Sequence, residues 1–234
     1  MKLRKIVSLF VAVLMLISSI PFGATAAAGD VFTAGDFKYT VNSDGTTVTL
    51  TAIAAEKLIG EITVPATVSD GTNTYTVTQL GGAFKNVETK TREMTSLVLP
   101  DTITKITVTA AFYACKGLTS IKLPKNLTAA PNEAQMTTSF MYCNSLTSVE
   151  IPAGITKLYG TFRDSAVKTV YLQTTEQANF YADKPATDMR AWNAGTTGIT
   201  IYYPENGVAP TGTGASGVFT ATVLTYTPSQ EPDV

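Results

Sequence analysis

"AFYACKGLTSIKLP" (residues 111–124) and "SFMYCNSLTSVEIP" (residues 139–152) follow one template. Each sets a phenylalanine (Phe112, Phe140) three residues before a cysteine (Cys115, Cys143) and a leucine (Leu118, Leu146) three beyond it, and each ends on proline. Aligning on the prolines adds "MTSLVLP" (94–100) and "IGEITVP" (59–65), with "VKTVYLQ" (167–173) as a copy that replaces proline by glutamine. Positions 1, 4 and 6 of every copy are apolar, as in Leu118, Ile121 and Leu123. In a strand, residues two apart share a face, so positions 4 and 6 point inward and positions 3 and 5 outward. Proline then ends the strand because it has no N–H to give a ladder.

Other landmarks recur with the strand. An apolar pair follows each proline (Ile103 and Ile106, Ile155 and Leu158, with Leu127 between them), and Phe84, Phe112, Phe140 and Phe162 precede the strands. Strand starts at 94, 118, 146 and 167 give periods of 24, 28 and 21 residues. One such coil cannot bury its apolar edge alone, whereas stacked coils bury a continuous core, so the period predicts a solenoid.

The unit F-x-x-C-x-x-L-T-S-I-x-L-P-x-x-[IL]-T resembles the BspA-type leucine-rich repeat of bacterial surface and secreted proteins, over roughly Leu58 to Leu172. "GEITVPATVSDGTNTYTVTQLGGAFKN" (60–86) resembles the usual first repeat, with a hairpin-like excursion at Asp70-Gly71. The resemblance implies a curved solenoid with a parallel sheet along one face, and adhesion or partner binding in place of catalysis. Val87 and Ser165 stand where the pattern has cysteine.

The fold class expected is mainly β with short helical or 3-10 turns: a leucine-rich-repeat solenoid capped by an N-terminal β-hairpin and a β-rich C-terminal segment. "MKLRK" followed by fifteen apolar-rich residues (Ile6–Ile20) and Ala24-Thr25-Ala26 has the three parts of a secretory signal peptide, cut near Ala26. The organisation expected is signal peptide 1–26, hairpin cap 27–57, solenoid 58–172, and a C-terminal rung, cap and tail over 173–234. Within the cap, Asp44-Gly45 lies between alternating runs (Phe37–Ile53), a hairpin signal. A calcium loop there would need further carboxylates, which "TTVTL" does not supply. A short helix is expected near Glu176–Tyr181, a sixth rung at "ITIYYP" (199–204) and a closing strand within 218–227.

Composition narrows the chemistry. Three of the 17 basic residues leave with the signal, so 14 basic residues face 18 acidic ones, a net charge of −4. Such a chain has no basic footprint for nucleic acid or an anionic membrane. It contains no histidine, which removes the Ser-His-Asp and Cys-His hydrolases and the usual catalytic zinc sites. No enzyme, cofactor or metal is expected, nor any membrane insertion after cleavage. The expected product is a monomer, secreted or held at the cell surface.

Function is then expected on a surface. The outward strand positions are Glu61, Thr63, Ser96, Val98, Ser120, Lys122, Ser148, Glu150, Thr169 and Tyr171, with Lys122 and Glu150 placed for a lateral ion pair. They would face a host or bacterial protein, or remain a solvated sheet face. The alternative is a glycan site on Phe180, Tyr181, Trp192, Tyr202 and Tyr203, which could equally be the core of the C-terminal cap. The charged insertion "KNVETKTRE" (85–93) lengthens the Phe-to-strand distance from 6 to 10 residues and could form a binding edge or a solvated loop. Cys115 and Cys143 occupy equivalent places on consecutive coils. Their spacing permits a disulfide, while a reduced, buried ladder also satisfies it.

Overall fold

A computed structural model describes residues 26–128, 136, 138–158, 160–180, 198–211 and 221–227. The signal segment, Tyr181 and Trp192 lie outside these residues.

The repeats form stacked coils. Their strands are β4 (Ile59–Thr63), β7 (Glu93–Val98), β9 (Ser120–Lys122), β10 (Ser148–Ile151) and β11 (Thr169–Leu172), followed by β12 (Thr200–Pro204) and β13 (Thr222–Tyr226). Neighbours pair in parallel as β4–β7–β9 and as β10–β11–β12–β13. The expected sixth rung is β12, and β13 adds another beyond it. Tyr226 locks that last strand down: its ring meets Tyr171 edge-on at 6.0 Å, and its hydroxyl donates to the Leu172 carbonyl at 3.1 Å.

Inward positions behave as the repeat requires. Leu118, Ile121 and Leu123, and likewise Leu146, Val149 and Ile151, are buried, as are Ile103, Leu127, Ile155 and Leu158 at the opposite edge. The first copy departs. Thr95 is an extra residue of β7 in the β4–β7 ladder, so Gly60 (φ +71°) stands opposite buried Met94, while Ile59, opposite Glu93, is 66% exposed and Leu58 is buried.

A column of phenylalanines runs through the stack. Phe84, Phe112, Phe140 and Phe162 are fully buried, with successive centroids 6.2, 5.3 and 5.9 Å apart. Phe37 from the N-terminal region meets Phe84 edge-on at 6.0 Å and extends the column. Two residues after each phenylalanine the backbone is left-handed, at Asn86, Ala114, Tyr142 and Asp164, although none is glycine. The turn is therefore held by its packing and hydrogen bonds against a local preference of about 1–2 kcal/mol per residue.

Upstream, β1 (Val31–Ala34), β2 (Phe37–Val41) and β3 (Thr47–Ile53) form an antiparallel ribbon, the β2–β3 turn being the one marked by Asp44-Gly45. β5 (Thr67–Ser69) and β6 (Thr74–Leu80) form the second hairpin, around Asp70-Gly71. β6 also pairs in parallel with β3 and with β8 (Lys105–Ile106), which joins this sheet to the second edge of the coils.

Both hairpin carboxylates satisfy their own turns. Asp44 accepts from the Thr46 and Thr47 amides, and its pKa is held at about 2 by the Thr47 hydroxyl first and then those amides. Asp70 is held well below the usual carboxylate range by the Asn73 amide, the Tyr75 hydroxyl and the Thr72 amide. A depressed carboxylate stabilises the fold above its unfolded pKa of about 3.9 and loses that contribution as pH falls toward the folded value. Acidification from pH 5 to 2 is expected to loosen both hairpins, seen as lower amide protection factors, relative to intrinsic exchange at each pH, over residues 41–50 and 68–76. Asp44→Asn together with Asp70→Asn should flatten that pH dependence.

Over the described part of the helix expected near Glu176–Tyr181, residues 176–180, no helix forms: the chain bends at 175, 176 and 180, and Asn179 bridges Lys157 on one side and Thr211 on the other. Coil-to-coil pairing wins there over local helical tendency. Among the described residues the α-helix is α1 (Glu88–Thr91), inside the charged insertion.

Candidate interaction surface

The outward strand positions assemble by register. Glu61, Ser96 and Ser120 stand opposite one another in one column, and Thr63, Val98 and Lys122 in the next. Beyond β9 the columns resume as Ser148, Thr169, Thr200 and Thr222, beside Glu150, Tyr171, Tyr202 and Leu224. The first column is therefore hydroxyl-bearing from Ser96 onward, and Ser120 donates to Ser96 at 3.0 Å. β9 and β10 belong to different sheets, so Lys122 and Glu150 are not ladder neighbours.

The second column is aromatic and apolar toward its C-terminal end. Tyr171 and Tyr202 are half-buried and stack with centroids 5.0 Å apart and planes 15° from parallel. Burial, with the nearby Tyr202, raises the Tyr171 pKa. Leu224, in register with Tyr202, is 44% exposed. Sequence reasoning put Tyr171 and Tyr202 in two rival sites; register brings them onto one face. It also missed Thr200, Thr222 and Leu224, although "ITIYYP" and "TVLTY" carry the strand pattern.

The rival aromatic cluster divides. Phe180 is fully buried, so its ring belongs to the core, while Tyr203 is half-buried next to Tyr202.

The charged insertion packs onto the fold. Lys90 of α1 donates from Nζ to the Ile53 and Ala55 carbonyls, both at 2.9 Å, and its own carbonyl accepts from the Leu58 amide at 2.8 Å. Glu88 pairs with Arg92 at 2.7 Å and with Lys116 of the next coil at 2.9 Å, and Thr91 is fully buried. The segment thus ties the N-terminal ribbon to the first coils. Lys90→Met, which keeps the stem and removes both charged hydrogen bonds, is expected to lower unfolding free energy by about 1.5–3 kcal/mol in urea titration.

The cysteines are core residues. Both are free and buried, and each thiol donates to the carbonyl of the preceding coil's phenylalanine: Cys115 to Phe84 at 3.5 Å, Cys143 to Phe112 at 3.2 Å. Burial pushes the Cys115 thiol up to about 12 and Cys143 well above the ordinary value, which suppresses the reactive thiolate. Among the described residues no group of three or more His, Cys, Asp or Glu could hold a metal ion, and no helix is long and apolar enough to cross a membrane.

Residues 82–182 match the BspA type leucine-rich repeat region in six copies. β4 and β12 lie outside that span but join the same ladders. No curated protein matches the chain. Among solved structures, the T. pallidum leucine-rich repeat protein is 17% identical, covering 84% of this chain and 86% of its own, at a TM-score of 0.49. The pneumococcal vaccine antigen PcpA is 14% identical over 85% of this chain, at a TM-score of 0.43. A leucine-rich cell surface protein from Faecalibacterium prausnitzii A2-165 is 20% identical over 78%, at 0.41. This chain spans about half the length of the latter two, 49% and 54%.

Proposed function

From a chain that carries a BspA-type leucine-rich repeat region across residues 82–182, we propose a secreted or surface-displayed, non-enzymatic module that binds a protein partner through its outward strand face. It is exported by cleavage near Ala26 and acts as a monomer. The observation that carries the reading is the Tyr171–Tyr202–Leu224 column beside the hydroxyls of Thr169, Thr200 and Thr222. Over β11–β13 these two columns bear no charge, while Glu61, Lys122 and Glu150 lie toward the N-terminal strands. Protein interfaces have this anatomy: an aromatic centre depleted of charge within a polar rim.

The ring geometry favours protein over glycan. Sugar rings bind to exposed aromatic faces, and Tyr171 and Tyr202, both half-buried, spend a face on each other.

The test screens the chain from residue 27 against extracellular proteins and a glycan array, with Tyr171→Ala/Tyr202→Ala alongside. A protein ligand whose affinity falls about 10-fold or more in the double variant supports the face. A glycan ligand lost on Trp192→Ala and kept in the tyrosine variant would replace it.

A further inference from the structure

We infer that the solenoid hinges between β9 and β10. At every other junction, consecutive outward strands form a parallel ladder: β4–β7, β7–β9, β10–β11, β11–β12 and β12–β13. Among the described residues β9 and β10 form none, and the outward face is two sheets.

The same two coils are firmly tied along the aromatic edge. The Phe112 amide donates to Ser139 at 3.1 Å and the Ala114 amide to Met141 at 2.9 Å. The Cys143 thiol reaches the Phe112 carbonyl at 3.2 Å, and the Ser145 hydroxyl reaches that of Lys116 at 2.7 Å. Phe112 and Phe140 make the closest ring contact of the column, 5.3 Å apart. The two coils also touch at the opposite corner, where Gly154 lies against the Leu127 carbonyl, but no ladder crosses the strand face between the two edges, and hydrogen bonds fix direction where close contact does not.

Coil length departs at the same junction. From Leu118 to Leu146 the repeat runs 28 residues, against 24 before it and 21 after. The excess lies between the apolar corner and the next phenylalanine: Leu127 to Phe140 is 13 residues, Ile103 to Phe112 is 9 and Ile155 to Phe162 is 7. The junction without a ladder is thus the one whose coil is longest in sequence.

The hinge divides the proposed face. Ser96, Val98, Ser120 and Lys122 lie on one body, Tyr171, Tyr202 and Leu224 on the other. Rocking about the Phe112–Phe140 edge sets the angle between them, which a partner touching both halves would bias.

In a repeat array, stability is a sum of coil and nearest-neighbour terms, so cooperative units part at the weakest junction. Residue-resolved hydrogen exchange on the chain from residue 27 is expected to return two opening equilibria, one for β4–β9 and one for β10–β13. They should differ at least about 10-fold, with a step between Lys122 and Ser148. A smooth gradient toward the two ends, with no step there, overturns the hinge. A second arm places a disulfide across the seam with Ser120→Cys/Ser148→Cys. Once oxidised it should merge the two values, and values that stay apart overturn the assignment. Neither arm needs a ligand, so the result stands apart from the functional proposal.

Discussion

Gly117→Ala is expected to lower unfolding free energy by about 3–5 kcal/mol or to prevent soluble expression. A Cβ at residue 117 would sit 2.0 Å from the Arg92 carbonyl oxygen and 3.0 Å from that of Met94. Both obstacles are backbone of the preceding coil, so no side chain can swing away. Relief requires the two coils to separate just where α1 and β7 meet the Cys115 turn. Gly154→Ala repeats the experiment one junction on, its Cβ 2.4 Å from the Leu127 carbonyl oxygen. Gly82→Ala is the control, because nothing lies within 4 Å of its Cβ position. Urea denaturation of the three variants checks the ranking, and a Gly117→Ala protein as stable as Gly82→Ala would show that the coils are not in contact there.

Phe140→Ala is expected to cost about 3–5 kcal/mol, with Phe140→Leu costing markedly less. Phe140 is fully buried between two near-parallel rings, Phe112 at 11° and Phe162 at 6°. Truncation opens a cavity that neighbouring coils cannot fill, because their backbones are tied by the bonds from Phe140 to Thr161 and from Phe112 to Ser139. The aromatic edge is also where the β9–β10 junction is held. Exchange should therefore rise most for amides on either side of it, and the loss of free energy should exceed that of an equal truncation at Val149, which sits inside a ladder. A variant within about 1 kcal/mol of wild type would remove the phenylalanine column from the account of stability.

The repeat was legible because its signals are local and multiplied. Apolar positions 1, 4 and 6, the terminating proline and the phenylalanine ahead of the strand recur from copy to copy, and each states a strand or turn by itself. Where a local signal ran against the stacking of the coils, it failed. A short helix is expected near Glu176–Tyr181, but in its described part, residues 176–180, Asn179 bridges Lys157 and Thr211 on neighbouring coils instead. Ile59 reads as inward by alignment but stands opposite exposed Glu93, because Thr95 is an extra residue of β7 in the ladder. The left-handed backbone at Ala114 and Tyr142 has no residue type to announce it, since alanine and tyrosine occupy it only under the pressure of the stack.

The candidate face divides along the same line. Sequence alone determined that positions 3 and 5 point outward, because alternation in a strand is a property of covalent geometry. It also determined that function would be sought on a surface, since a chain without histidine lacks the usual general base. Register was decided by tertiary structure, because it depends on where each coil returns after a connection of variable length. Only the stacked coils place Tyr171 on Tyr202, carry the hydroxyl column on to Thr222, and turn the charged insertion inward as a clamp on the N-terminal ribbon. The break between β9 and β10 has the same origin: the 28-residue coil is visible in the sequence, and whether its strand rejoins the sheet is settled by packing.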